Sequence, residues 1–242
     1  MFSRYFYIVL IFIFTIFFVI VYVFFPKIPS KIEIVEEITK KEIIFTWSIF
    51  NPYDLDFLID DSYQKFVSPN ISFENIKYKP NDLILIKSEY IKNIWWNQQI
   101  RQEAFLNLDK MAKDFYLEFW IKLNVMSSYR SYEYQAWIKS RWCSDYFCAK
   151  AWHSEHQSGL AVDFFEATNN KTFLSKPNLK KYFNWWRENA HKYGYHNTYQ
   201  RWREIDWYEV EPWHWRYVWV DFATYLLEND MTFAEFFNTL KW

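Results

Sequence analysis

Ser154-Glu155-His156-Gln157-Ser158-Gly159-Leu160-Ala161-Val162-Asp163 sets an imidazole and a carboxylate on either side of a glycine and runs into Leu160 to Phe165, an apolar stretch that reads as a strand. A second stretch, Glu211-Pro212-Trp213-His214-Trp215-Arg216-Tyr217, adds another imidazole and another carboxylate at the entry to a second strand-like run, Trp213 to Val220. Two imidazoles, a carboxylate ligand and a spare carboxylate are the side chains of a hydrolytic zinc site. Such a site keeps three protein ligands and leaves its fourth position to a water whose pKa falls to about 7. His156, Asp163 and His214 fill the three ligand roles. A further group must move protons without occupying the metal, and Glu211 is the candidate. The residue before a proline is pushed to extended geometry, so Glu211 and His214 are expected to flank a bend at a strand entry. There both side chains can converge, whereas on a straight strand positions three apart face opposite ways.

These two segments resemble the zinc signatures of the VanY-type D-alanyl-D-alanine carboxypeptidases: Ser-x-His, then Gly-x-Ala-x-Asp, and later Glu-x-Trp-His. Ser127-Ser128-Tyr129-Arg130-Ser131-Tyr132-Glu133-Tyr134-Gln135 is similar to that family's substrate-binding segment, with Ser128 where the family has glycine. Asn189-Ala190-His191-Lys192-Tyr193-Gly194-Tyr195 is similar to its helix end before a strand. The resemblance covers Asp82 to Ala223. It implies zinc on His156, Asp163 and His214, Glu211 as general base, and Arg130, Gln135 and Ser154 around a peptidoglycan stem peptide. A planar guanidinium suits a terminal carboxylate or a developing oxyanion, while an ion pair with a neighbouring carboxylate is the plainer reading of Arg130. Gln135 and Ser154 can equally tie down a loop. The expected reaction is hydrolysis of the C-terminal D-alanine. L,D-carboxypeptidase or endopeptidase action on the same wall, or an inactive wall-binding module, are the alternatives. His153, His191 and His196 receive no metal role.

The chain has 242 residues, half of them apolar, enough for a full domain plus an extension. A net charge of −1 and the lack of a basic run give no argument for a nucleic-acid partner. Tyr5 to Phe25 is uncharged, rich in Phe, Ile and Val, and long enough to cross a bilayer as a helix. A cleaved signal peptide is the runner-up, but no small-residue cleavage site follows Phe25. The organisation expected is an anchor over 1–26, a proline-interrupted stalk and lead-in over 27–81, and a zinc carboxypeptidase domain over 82–242. The resemblance puts that domain on the extracytoplasmic side. Leu83 to Ile86 and Lys122 to Met126 read as extended. Ala104, Leu108, Met111, Ala112 and Phe115 recur at helical spacing within 99–119, and 179–192 reads as a helix ending at Gly194. The fold class expected is α+β: a small antiparallel sheet flanked by helices, carrying a single zinc site and preceded by a transmembrane helix. Cys143 and Cys148 are either a small-loop disulfide or two thiols, and export favours the disulfide.

Glycine occurs twice and tryptophan fifteen times, against an average glycine content of about 7 per cent. Trp142, Trp152, Trp202, Trp207 and Trp219 fall where the resembling family tends to carry glycine, and Trp120 is a further case. A gene in which UGA means glycine, translated as if UGA meant tryptophan, would produce this pattern. An AT-rich genome accounts for the abundant Phe, Ile, Asn, Lys and Tyr, but should deplete Trp together with Gly. If Trp152 is a true tryptophan, it is expected to crowd the substrate groove two residues before Ser154.

Overall fold

The computed structural model describes residues 50–141 and 143–240; the expected anchor Tyr5–Phe25, the stalk up to 49 and Trp142 lie outside the described residues. Among the described residues, no helix is long and apolar enough to cross a membrane. Residues from Asn51 onward form one compact unit. Its strands are β1 (Leu83–Leu85), β2 (Ile91–Asn93), β3 (Gln99–Arg101), β4 (Leu123–Ser127), β5 (Ala161–Phe164), β6 (Tyr195–Asn197) and β7 (His214–Tyr217). The main sheet has the order β2-β4-β5-β7-β6, while β1 and β3 make a separate antiparallel pair.

The α+β class stands, but the main sheet is mixed, not purely antiparallel, because β2 runs parallel to β4. The reason is the helix α1 (Gln102–Phe119) lying between them in sequence: a helical crossover returns the chain to the end from which it started, as a parallel pair requires. Ala104, Leu108, Met111, Ala112 and Phe115 form the fully buried face of α1, as their spacing predicts. A second helix, α2 (Tyr132–Ser140), starts with Ser131 Oγ accepting from the Tyr134 amide. Further on, α3 (Asn170–Ser175) leads into α4 (Pro177–Asn189), which carries Trp186 into the core. A 3₁₀ turn, Ala190–Tyr193, then ends at Gly194 with φ 76°. A Cβ at Gly194 would lie 2.6 Å from the Tyr217 ring, so both the turn and the packing exclude a side chain there. The strand reading of Trp213 to Val220 is too long at both ends, since Trp213 precedes β7 and Val220 already opens α5 (Val220–Glu228).

Residues 51–81 pack against this body with few regular elements. Phe57, Phe66 and Phe73 are buried, and Phe66 stacks on Phe237 of α6 (Phe233–Thr239) at 3.9 Å. Buried polar side chains fix the segment's backbone: Gln157 Nε2 donates to the carbonyls of Ile76 and Tyr78, and Arg101 Nη1 to that of Asp61.

Seven non-glycine residues among those described have positive φ: Asn97, Trp120, Trp152, Phe165, Trp207, Trp219 and Asp230. Four are tryptophans, although fifteen tryptophans placed at random in 242 residues would put fewer than one there. Left-handed backbone costs an L-residue about 1–2 kcal/mol. Trp219, at φ 70° and ψ 153°, occupies a region that is essentially glycine's alone. Trp202 differs, with φ −80° and ψ 159°, a conformation open to any residue.

Candidate metal centre

The site is built where β5 and β7 pair. Their antiparallel register sets Asp163 directly opposite His214, and Asp163 also faces Ser127 at the end of β4. The register shifts between Val125 and Ser127, the kind of irregularity that re-aims a strand end. Here it presents the Ser128 carbonyl and the Ser127 hydroxyl to the site. His156 comes from a 3₁₀ turn, Glu155–Ser158, which Gly159 closes in left-handed geometry at φ 68° immediately before β5. A Cβ on Gly159 would meet Leu83 Cδ2 at 2.8 Å, so the glycine permits both the turn and the close approach of β1.

His156, Asp163 and His214 are buried together, one ligand atom from each lying within 4.8 Å of the others. Hydrogen bonds decide which imidazole nitrogens are available. His156 Nδ1 sits 2.7 Å from the Ser128 carbonyl, which can only accept, so Nδ1 carries the hydrogen and Nε2 turns its lone pair toward Asp163 Oδ2, 3.3 Å away. His214 Nε2 lies 2.8 Å from Glu155 Oε2, leaving Nδ1 facing Asp163 Oδ1 at 3.0 Å. Burial, with Arg130 beside it, presses the His156 imidazole down to about 4, against the pull of Asp163. Burial acts on His214 in the same sense, but hydrogen bonds to Asp163 and Glu155 outweigh it and push the ring up to about 10. Asp163 stays ionised well below the usual carboxylate range: desolvation opposes this, and His156, His214 and Arg130 overcome it. Two carboxylates thus converge on one imidazole that must hold a proton to satisfy them. A cation can take that proton's place between His214 Nδ1 and Asp163, with His156 Nε2 as third donor. Two imidazoles and one carboxylate form a zinc-type donor set, and these residues fit it.

Glu211 and His214 do flank a bend: the His214 amide donates to the Glu211 carbonyl at 3.1 Å just before β7 begins. Both line a cavity of about 510 Å³ together with His156, Asp163, Arg130 and Ser154. Burial pushes the Glu211 carboxyl up to about 8, Asp163 adding to the rise while His214 and Arg130 oppose it. Arg130 is partly buried and held from three sides, by Ser127 Oγ, Gln135 Oε1 and, at 2.7 Å, Asp163 Oδ2. Each guanidinium nitrogen therefore spends one hydrogen, which leaves two of its five for a guest. Gln135 also binds the Ala149 carbonyl, tying α2 to the loop closed by the Cys143–Cys148 disulfide. Ser154 caps the 3₁₀ turn by position but makes no side-chain cap hydrogen bond.

The other histidines lie elsewhere: His153 Nδ1 meets the Ser68 carbonyl, His191 sits in the turn after α4, and His196 is buried on β6. Trp152 does not line the cavity. Its ring stacks on Tyr132 at 5.5 Å, so it does not crowd the groove as expected. Trp213 lines the cavity.

Three further residues shape the centre. Asn197 Nδ2 donates to the Glu211 carbonyl at 2.8 Å and to that of His214 at 2.6 Å, clamping the bend that carries both side chains. Tyr199 stacks on the His214 ring at 4.8 Å. Glu155 bridges His214 to Arg216, whose Nη1 lies 2.8 Å from Glu155 Oε1. Glu155 stands inside the quoted motif, yet nothing in sequence pairs it with residues so far along the chain.

Comparison with known proteins follows the same lines. The family profile described as "VanY: D-alanyl-D-alanine carboxypeptidase" matches residues 97–220. The chain is 34% identical over 181 residues to the putative carboxypeptidase YodJ of Bacillus subtilis (strain 168), covering 68% of this chain and 63% of that one. Among solved structures it is similar to the LD-carboxypeptidase LdcB, with TM-score 0.63 and 30% identity over 75% of this chain and 88% of LdcB. It is also similar to VanYB in complex with D-alanine-D-alanine, with TM-score 0.53 and 25% identity over 73% and 97% of the two chains. The chain spans less than two thirds of the length of the curated relatives it matches, at 63%, 46% and 31%.

Proposed function

The chain belongs to the VanY family of D-alanyl-D-alanine carboxypeptidases, and on that premise we propose that it is a zinc-dependent peptidase releasing the C-terminal D-alanine of peptidoglycan stem peptides. The observation that carries the reading is the convergence of His156 Nε2, Asp163 and His214 Nδ1 on one point of a cavity that Glu211 and Arg130 also line. Zinc held by those three residues would supply Lewis acidity toward the scissile carbonyl and would lower the pKa of a bound water to about 7.

Glu211 moves the protons. Without a metal ion its burial holds the carboxyl up to about 8, and a cation beside it would bring it down toward the range in which one group can both accept and donate at neutral pH. Its carboxylate takes the proton of the attacking water and passes it to the amine nitrogen of the departing D-alanine. Arg130 offers its two remaining N–H groups to the anionic end of the peptide. The Ser127, Gln135 and Asp163 contacts hold the guanidinium plane still, so little ordering remains to be done on binding.

Likeness to LdcB supports a second reading in which the residue before the terminal D-alanine is an L-residue. One experiment separates the two: D-alanine release from synthetic peptides ending in D-alanyl-D-alanine or in an L-residue followed by D-alanine, with metal content measured in parallel. Glu211→Gln should lower turnover by about 10²–10⁴-fold and leave zinc stoichiometry unchanged. Normal turnover by that variant refutes the role of Glu211, and wild-type protein that takes up no zinc refutes the whole reading. The reading extends to location: Tyr5 to Phe25 anchors the protein in the membrane, with the peptidase facing the wall outside. Its support is the uncharged apolar run and the site of the substrate.

A further inference from the structure

His214 and Arg216 are two apart on β7 and so share one face of the sheet. Glu155 straddles them, with Oε2 on His214 Nε2 and Oε1 on Arg216 Nη1, both at 2.8 Å. All three are buried, and Arg216 is fully so. Arg216 Nη2 in turn donates to the backbone carbonyls of Lys65 and, at 3.4 Å, Tyr63, and its guanidinium lies over the Phe233 ring. A chain of contacts therefore runs from the His214 ring through Glu155 and Arg216 to the segment wrapped around the body at Tyr63–Lys65.

We propose that Glu155 is the positioning residue for His214: an ionised carboxylate, fixed by Arg216, holds the imidazole in the tautomer and orientation that present Nδ1 to a metal ion. A carboxylate can only accept, so it keeps the hydrogen on Nε2 and the lone pair on Nδ1. It also makes that nitrogen a stronger donor, as outer carboxylates do for metal-bound histidines. Arg216 is needed because an isolated buried carboxylate would neutralise and lose this one-way character. The proposal rests on the metal-site reading above.

The test compares wild-type protein with Glu155→Gln, whose amide can offer Nε2 a hydrogen and so favour the wrong tautomer. Chelator competition should show zinc held about 10–100-fold more weakly, and the cobalt-substituted variant should show an altered visible spectrum. Unchanged zinc affinity with an unchanged cobalt spectrum overturns the proposal, whereas a wild-type protein that binds no zinc sinks the metal-site reading itself. Should the variant fail to fold, ¹⁵N NMR of zinc-loaded wild-type protein decides. His214 protonated on Nε2 supports the proposal, and protonation on Nδ1 overturns it.

A separate observation concerns the tryptophans. Trp120 and Trp207 are left-handed C-caps of α1 and of the helical turn Arg203–Asp206, where glycine is the usual residue. Trp152 is left-handed at φ 58°, and Trp219 opens α5 in the glycine-only region. By contrast, Trp186, Trp213 and Trp215 are buried core residues outside the positive-φ set, and the rings of Trp186 and Trp215 pack on each other at 6.1 Å. We infer that positions 120, 152, 207 and 219 are glycine in the protein its native cells make, through UGA codons read as glycine, and that 186, 213 and 215 are tryptophan there. The gene sequence and peptide masses of the protein isolated from those cells decide. UGA with glycine masses at the four positions and UGG with tryptophan masses at the three supports the division. UGG or a tryptophan mass at any of the four, or glycine at any of the three, overturns it.

Discussion

Replacing Trp219 by alanine and by glycine isolates the backbone demand at that position. The Trp219 ring stacks on Tyr63 at 5.6 Å, and both replacements lose that contact equally, at about 0.5–1.5 kcal/mol. They differ only in the Cβ. At φ 70° and ψ 153° the Cβ of alanine remains in a region where residues other than glycine pay about 1–3 kcal/mol. Glycine escapes that cost but gives up about 0.5–1 kcal/mol through its looser unfolded chain. The difference leaves Trp219→Gly more stable than Trp219→Ala by about 1 kcal/mol, the centre of a span of about 0–2.5 kcal/mol. For a body of this size, that corresponds to a melting temperature higher by about 2–4 °C. The same pair of replacements at Trp186, inside α4, should invert the order, glycine being worse than alanine by about 1 kcal/mol in a helix interior. Thermal unfolding followed by far-ultraviolet circular dichroism measures all four variants. An alanine variant at 219 as stable as its glycine counterpart would refute the claim that this backbone requires glycine.

Other perturbations test the site. Arg130→Lys keeps the charge but cannot reproduce the fork that meets Ser127, Gln135 and Asp163; KM for the peptide should rise about tenfold or more while zinc content holds, and an unchanged KM would remove Arg130 from substrate binding. Asn197→Ala frees the bend carrying Glu211 and His214 and should cost about 1–3 kcal/mol in urea unfolding and lower kcat, whereas a wild-type kcat would show that the clamp is dispensable. Chelated protein should lose stability as pH rises above about 6.5, whereas below that His156 and His196, both pressed down to about 4, bind protons only in the unfolded chain and oppose Glu211. Glu211 carries a proton in the fold up to about 8 against an ordinary 4.5, so the native state binds the extra proton between those values, and at most about 5 kcal/mol is lost across that window. His214, held charged to about 10 against an ordinary 6.5, acts in the same sense between those values and so overlaps the upper half of the Glu211 window. Relative to wild type, Glu211→Gln should shift the slope of stability against pH toward positive values throughout pH 5 to 8, and an unchanged slope in the variant would acquit Glu211.

That His156, Asp163 and His214 come together with Glu211 on one cavity was legible in sequence, because motif spacing fixes local geometry: a histidine in a glycine-closed turn precedes a strand carrying Asp163, and a proline bend precedes His214. The buried face of α1 followed from helical periodicity alone. The parallel β2–β4 pair was not legible, because strand direction depends on where a crossover returns the chain. Nor was the folding of residues 51–81 onto the body, since Gln157, Arg101 and Arg216 hold that segment through backbone carbonyls, which carry no signature in side-chain pattern.

Composition by itself determined that glycine is missing and tryptophan in excess. Only the tertiary structure sorted the tryptophans, because φ at Trp120, Trp152, Trp207 and Trp219 is imposed by the turns and helix ends they occupy. In the same way, sequence determined which residue types can hold a metal. Which nitrogen of each histidine faces it was decided by the Ser128 carbonyl and the Glu155 carboxylate, partners distant in sequence that the sheet register and the close packing of the fold bring within hydrogen-bonding distance.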